Sequence, residues 1–113
     1  MFFLTCTRKA VLSSGELVSA SYDKTIRIWD TKTGFENVIL KNSQAALSLA
    51  VLPTGELAAG SNDNMIQIYD ASNWQVKQIL QGHVSPIKSL VASQSGVLVS
   101  SSEDGKIIKW FSS

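Results

Sequence analysis

The sequence predicts an all-β chain of about three repeated units. Each unit is a small antiparallel sheet of four strands, and the last lacks its outer strand. Three observations predict it. The chain matches itself at a spacing of 40 and then 41 residues. Each copy carries turn residues at the same offsets. Between the turns lie short apolar and β-branched runs with no sustained helical period. The 113 residues are 44% apolar and 17% charged, so a packed core is within reach and disorder is not expected.

The repeat rests on four linked positions. A glycine, a leucine two later, an aspartate eight later and an aromatic fourteen later recur in every copy. They are Gly15, Leu17, Asp23 and Trp29; Gly55, Leu57, Asp63 and Tyr69; and Gly96, Leu98, Asp104 and Trp110. The elements of a unit follow in order. The first strand is apolar, as in Leu47 to Val51 or Ile87 to Val91. A turn follows at Ser13-Ser14-Gly15, Pro53-Thr54-Gly55 or Gln94-Ser95-Gly96. The second strand, of small and β-branched residues, runs to the aspartate. Asp23-Lys24, Asp63-Asn64 and Asp104-Gly105 read as tight hairpins, the last with the residues of a type I′ turn. The third strand ends on the aromatic. A polar loop, 31–34 or 71–73, leads to a fourth strand at 37–41 or 76–81.

With Gly82-His83 opening the third unit and Trp29-Asp30 closing the first, the chain resembles the WD-repeat (tryptophan–aspartate repeat) family. The resemblance covers nearly all of the chain from about residue 10. It implies a partial β-propeller whose blades span approximately 1–41, 42–81 and 82–113. It also implies a buried hydrogen-bonded tetrad of His83, Ser100, Asp104 and Trp110. The first unit retains Ser19, Asp23 and Trp29. The second retains only Asp63, with Ala59 and Tyr69 in the serine and tryptophan places. A turn aspartate suits the network because it can accept from backbone N–H groups and from an imidazole.

Ser, His and Asp together also suggest a hydrolase, so an enzyme or enzyme fragment using His83, Ser100 and Asp104 is the alternative reading. No strand-turn-helix elbow or glycine-rich oxyanion loop accompanies Ser100, and the tetrad is preferred. The favoured function is a non-enzymatic scaffold that binds partner proteins through blade loops. Carried over by position, the hairpin and inter-unit loops would present Tyr22, Lys24, Asn62, Asn64, Val84, Ser85 and Glu103, with Tyr22 as the natural anchor. Trp74 lies at the opposite end, as a contact residue or, more simply, packed on the blade. Lys9 stands where Leu49 and Leu90 stand, so the first strand is either misaligned or frayed. Lys109 stands where Ile28 and Ile68 stand, as an open sheet edge would allow.

Composition narrows the rest. Ten Lys and Arg against nine Asp and Glu give a net charge of +1, too balanced to expect nucleic acid or a membrane surface as partner. No cofactor or metal motif is present. The run from Ala45 to Leu52 is far too short to span a bilayer. At the N-terminus the charges follow the apolar residues, the reverse of a signal peptide. Cys6 is the only cysteine, so an intracellular setting, cytoplasmic or nuclear, is expected. Closed propellers take about 4–8 blades. The expectation is therefore a piece of a longer propeller, or a chain that self-associates to close the ring.

Overall fold

The computed structural model describes residues 6–12, 14–21, 23–41 and 45–111. Its eleven strands are β1 (Cys6–Val11), β2 (Leu17–Ser21), β3 (Thr25–Trp29), β4 (Glu36–Lys41), β5 (Ala46–Val51), β6 (Leu57–Ser61), β7 (Met65–Tyr69), β8 (Val76–Gln81), β9 (Ile87–Ala92), β10 (Leu98–Ser102) and β11 (Ile107–Phe111). They form three antiparallel sheets in the orders β1-β2-β3-β4, β5-β6-β7-β8 and β9-β10-β11. Among the described residues β11 is an unpaired outer edge, where β3 and β7 each have a further strand.

Turn chemistry sets the registers. Leu12, Leu52 and Ser93 each donate N–H to the carbonyl four residues later, closing three-residue loops at 2.8–2.9 Å. The last loop residues, Gly15, Gly55 and Gly96, have φ of 92–93°, which glycine adopts without steric cost. The hairpins between the second and third strands of each sheet, β2–β3, β6–β7 and β10–β11, use a related device, seen in β10–β11. Ser102 N–H bonds Lys106 O at 3.0 Å, Gly105 N–H bonds Ser102 O at 3.0 Å, and φ is positive at Gly105 and not at Asp104. This corrects the type I′ expectation, since that turn needs positive φ at both central residues. In the other copies Lys24 and Asn64 take the left-handed place, at φ 71° and 72°.

The core lies between the sheets. Val18, Ala20, Ile26 and Ile28 of the first sheet pack on Ala46, Leu57, Ala59 and Tyr69 of the second. The second sheet's other face, Ala58, Ile66, Ile68 and Leu80, packs on Ile87, Leu90 and Leu98 of the third. The inner strands follow one another, β1 against β5 and β5 against β9. Gly60 marks the closest approach: a Cβ there would lie 2.4 Å from Ile87 Cγ2 and 2.5 Å from Ser48 Oγ.

Among the described residues, two sheet faces have no neighbouring sheet. On the third sheet, Val91 and Lys109 flank Val99, and Ile107 follows on the same side. Val91 and Ile107 are 62% and 71% exposed. On the first sheet the uncovered side bears Lys9 and Val11. Lys9 pairs in register with Ser19 just as Leu49 pairs with Ala59, so from Arg8 to Val11 β1 is neither misaligned nor frayed; the lysine is tolerated because its side faces out. Lys109 is likewise exposed, on the edge strand.

Candidate functional site

In the third sheet β10 and β11 carry Ser100 and Trp110 on one face, and the segment before β9 lays His83 across them. His83 Nε2 lies 2.6 Å from Ser100 Oγ, and Trp110 Nε1 donates to the same oxygen at 2.7 Å. The imidazole meets the indole edge-on, with centroids 6.0 Å apart. Gly82 makes the close approach possible, since a Cβ there would sit 3.0 Å from the indole. His83 and Ser100 are buried, at 6% and 1% exposure.

Asp104 does not join this chain of bonds. His83 Nδ1 is buried with no hydrogen-bond partner. The Asp104 carboxylate is engaged instead by the Ser102 hydroxyl and by Lys106 N–H, the latter at 3.1 Å. The physical reason is proximity: a hydroxyl two residues away in the same hairpin reaches the carboxylate before a ring on another segment does. Asp104 still acts on His83 through space. Burial pushes the imidazole pKa down, and the Asp104 charge pulls part of the way back. The Ser102 hydroxyl and Lys106 N–H hold the Asp104 carboxyl below the usual range.

The other sheets show which parts persist. Trp29 Nε1 donates to Ser19 Oγ at 2.9 Å. In the second sheet Tyr69 turns its hydroxyl to Gln67 Oε1 at 2.8 Å, with Ala59 beneath. All three hairpin aspartates accept from the backbone N–H two residues on: Thr25, Met65 and Lys106. A serine two residues before each aspartate completes the loop. Ser61 and Ser102 donate to Asp63 and Asp104, while Ser21 accepts from Asp23 N–H at 3.3 Å. Ser21, Ser61 and Ser102 were not among the expected site residues, although Ser-x-Asp recurs in all three copies. Arg27 adds ion pairs to Asp23 at 3.4 Å and Glu36 at 3.2 Å.

Of the expected partner-contact residues, Lys24, Asn62, Asn64, Val84, Ser85 and Glu103 cluster at one end of the sheets, and Tyr22 lies outside the described residues. Backbone bonds tie hairpins to inter-sheet segments there: Asn62 N–H to Ala45 O and Glu103 N–H to Pro86 O, both 3.1 Å. Ser85 Oγ accepts from Asp104 N–H at 3.2 Å, so it has a structural task. Val84 is 76% exposed, more than any other large apolar residue described. At the opposite end Trp74 packs against the core between the first two sheets, in the left-handed place that Gly34 takes in the first unit. Among the described residues no cluster of three or more His, Cys, Asp or Glu could hold a metal ion.

Family comparison agrees with this geometry. The family described as "WD domain, G-beta repeat" matches residues 4–30, 37–70 and 74–110. The chain belongs to the WD-repeat family. The second and third matched segments begin in or just before the outer strand of one blade and end in or just after the third strand of the next. No curated protein matches the sequence. Among solved structures, one titled "Structure of U3-55K" is similar at TM-score 0.90 and 23% identity, covering 97% of this chain and 37% of that one. The RRP9 WD40 repeats give 0.89 and 24%, covering 97% and 36%. The computationally designed Ika4 protein gives 0.82 and 26%, covering 96% and 66%. The chain thus spans a little over a third of the first two structures. WD-repeat domains are generally non-enzymatic protein-interaction scaffolds.

Proposed function

We propose that this chain is a non-enzymatic scaffold segment that binds protein partners through the hairpin end of its blades. The observation that carries the reading is Val84. It is a branched apolar side chain, 76% exposed, on a segment that Ser85 and Pro86 bond to the Glu103–Asp104 hairpin. A fixed apolar group at the same end of the sheets as Lys24, Asn62, Asn64 and Glu103 has the form of an interface anchor with polar neighbours. The setting is intracellular, in keeping with a lone cysteine.

His83, Ser100 and Trp110 are assigned a structural role, as are Ser19 and Trp29. The hydrolase alternative lacks support in the geometry. Ser100 Oγ is 1% exposed and already bonded to an indole, and no carboxylate orients His83 Nδ1. A nucleophile needs both an open approach and an oriented base. The uncovered faces at Val11 and at Val91 and Ile107 call for neighbouring blades, from further repeats or from a second copy. Solution mass tests that part: a strictly monomeric, well-folded 12.2 kDa particle would refute it.

Affinity capture with Val84→Asp and Glu103→Lys tests the binding end, with Ile79→Thr on the outer strand as control. The captured proteins should change with the first two and not with the third. Unchanged capture by both would refute the assignment.

A further inference from the structure

The turns at the end opposite the hairpins carry more acid than base. Residues 12–16, 30–35, 52–56, 70–75 and 93–97 hold Glu16, Asp30, Glu56 and Asp70 against one cation, Lys32. Two of those acids belong to one repeated device. Ser14 Oγ donates to Glu16 Oε1 at 3.0 Å, and Thr54 Oγ1 donates to Glu56 Oε1 at 2.7 Å. In the second blade the other carboxylate oxygen meets a cation: Lys77 Nζ lies 2.7 Å from Glu56 Oε2. A carboxylate has about four acceptor sites and can hold a hydroxyl and a cation together, as Glu56 does. In the first blade Asn37 stands where Lys77 stands, an amide in place of an ammonium.

Beside Glu16 the chain places an indole. Glu16 and Trp74 line one notch between the first and second blades, with Leu12, Ser14, Gly55 and Ala71, around about 210 Å³ of space. Both blades that form it have all four strands. Trp74 is half-buried, packs on the core between those blades, and is held on its turn by N–H to Asp70 O at 2.7 Å. It is therefore a fixed wall. Such a space is about 7 Å across, so a cation inside it lies within the roughly 6 Å over which an indole attracts positive charge. An aromatic wall and a carboxylate wall together suit a guanidinium. That group is planar and weakly hydrated, stacks on a ring, and offers a carboxylate two parallel N–H donors.

We infer that this notch docks an arginine side chain of a partner protein, with the guanidinium between Glu16 and Trp74. The inference rests on the scaffold reading and adds a contact at the opposite end of the blades. The pairing is drawn from the chain itself, because Lys77 on Glu56 shows this turn carboxylate holding a cation.

The test is an NMR titration of the 113-residue chain with a capped Gly-Arg-Gly peptide. Its control carries citrulline, which keeps the shape and loses the charge. The arginine peptide should shift the Trp74 indole N–H and the amides of Ser14, Glu16 and Gly55. The citrulline peptide should bind about tenfold more weakly. Glu16→Gln should cost a similar factor. So should Asn37→Lys, which supplies from within the ammonium that Lys77 supplies in the next blade. That variant keeps Glu16 and Trp74, and the Trp29 indole signal reports that each variant is folded. Equal binding of the two peptides, or binding unchanged in either variant, would overturn the inference. So would shifts centred on Glu56 and Lys77, or notch signals that move with protein concentration alone, which would place a second copy there. Failure here with Val84-dependent capture intact would remove this contact and leave the scaffold reading standing.

Discussion

Replacing Ser100 with alanine should destabilise the chain more than the same change at Ser19. Ser100 Oγ is the shared partner of His83 Nε2 at 2.6 Å and Trp110 Nε1 at 2.7 Å. Alanine fits the place sterically, since Ala59 occupies it in the second blade at 2% exposure. The loss is therefore one of bonding. His83 is buried and its Nδ1 has no partner, so the variant would leave the whole imidazole unbonded. An orphaned buried polar group costs about 1–3 kcal/mol. Trp110 is only half-buried, and water can restore part of what its N–H loses. The expected total is about 2–4 kcal/mol. Ser19→Ala breaks the bond to Trp29, and no histidine can be orphaned because His83 is the only one in the chain. Its expected cost is about 1–2 kcal/mol. Urea unfolding followed by circular dichroism measures both, with equal slopes showing that the comparison is sound. If Ser100→Ala costs no more than Ser19→Ala, the shared-acceptor argument is wrong.

Stability should also fall as pH drops below about 6.5, the ordinary imidazole value. Burial lowers the His83 pKa in the folded chain, so the unfolded chain takes up the proton first. The stabilisation is complete above the unfolded pKa and is lost as pH falls through the folded one. His83→Asn should flatten the profile between pH 7 and 5, and a slope that persists would refute the assignment. Gly60→Ala should destabilise by about 1–3 kcal/mol through overpacking, because its Cβ would lie 2.4 Å from Ile87 Cγ2. A thermal midpoint at or above wild type would contradict the close approach. Trp74 has φ of 58°, so Trp74→Gly should be the more stable of the pair Trp74→Gly and Trp74→Ala. The expected gap is about 1 kcal/mol, and differential scanning calorimetry showing the opposite order would refute it.

Strand positions were legible because the devices that make them are local. A glycine in the left-handed region, a leucine two later and a hairpin aspartate define each unit before any packing is known. Long-range choices were less legible. The sequence brings His83, Ser100 and Asp104 into one unit, but only geometry shows the Asp104 carboxylate taken by its own hairpin through Ser102 and Lys106. Ser-x-Asp was visible in three copies and passed over because serine is common in strands and turns alike. The Asp104-Gly105 pair suggested a two-residue turn; which loop forms depends on where Ser102 and Lys106 bond. Lys9 looked misplaced because alternation along β1 is a statement about two faces, and its outward face has no neighbouring sheet. Trp74 sits in a place glycine would suit, and it is its packing on the core that shows why an indole is tolerated there.

Each core layer is shared: half is contributed by one blade and half by the next. All blades therefore offer the same two kinds of face. The side bearing Val18, Ile26 and Ile28 is matched in the next blade by Ala58, Ile66 and Ile68, and either could seat Leu98 and Leu90. A gain or loss of one whole period would rejoin like surfaces, whereas a cut at mid-period would pair unlike ones. Genetic change in multiples of 40 or 41 residues is thus the kind of length variation this architecture can absorb, because the join is already tested at every existing boundary.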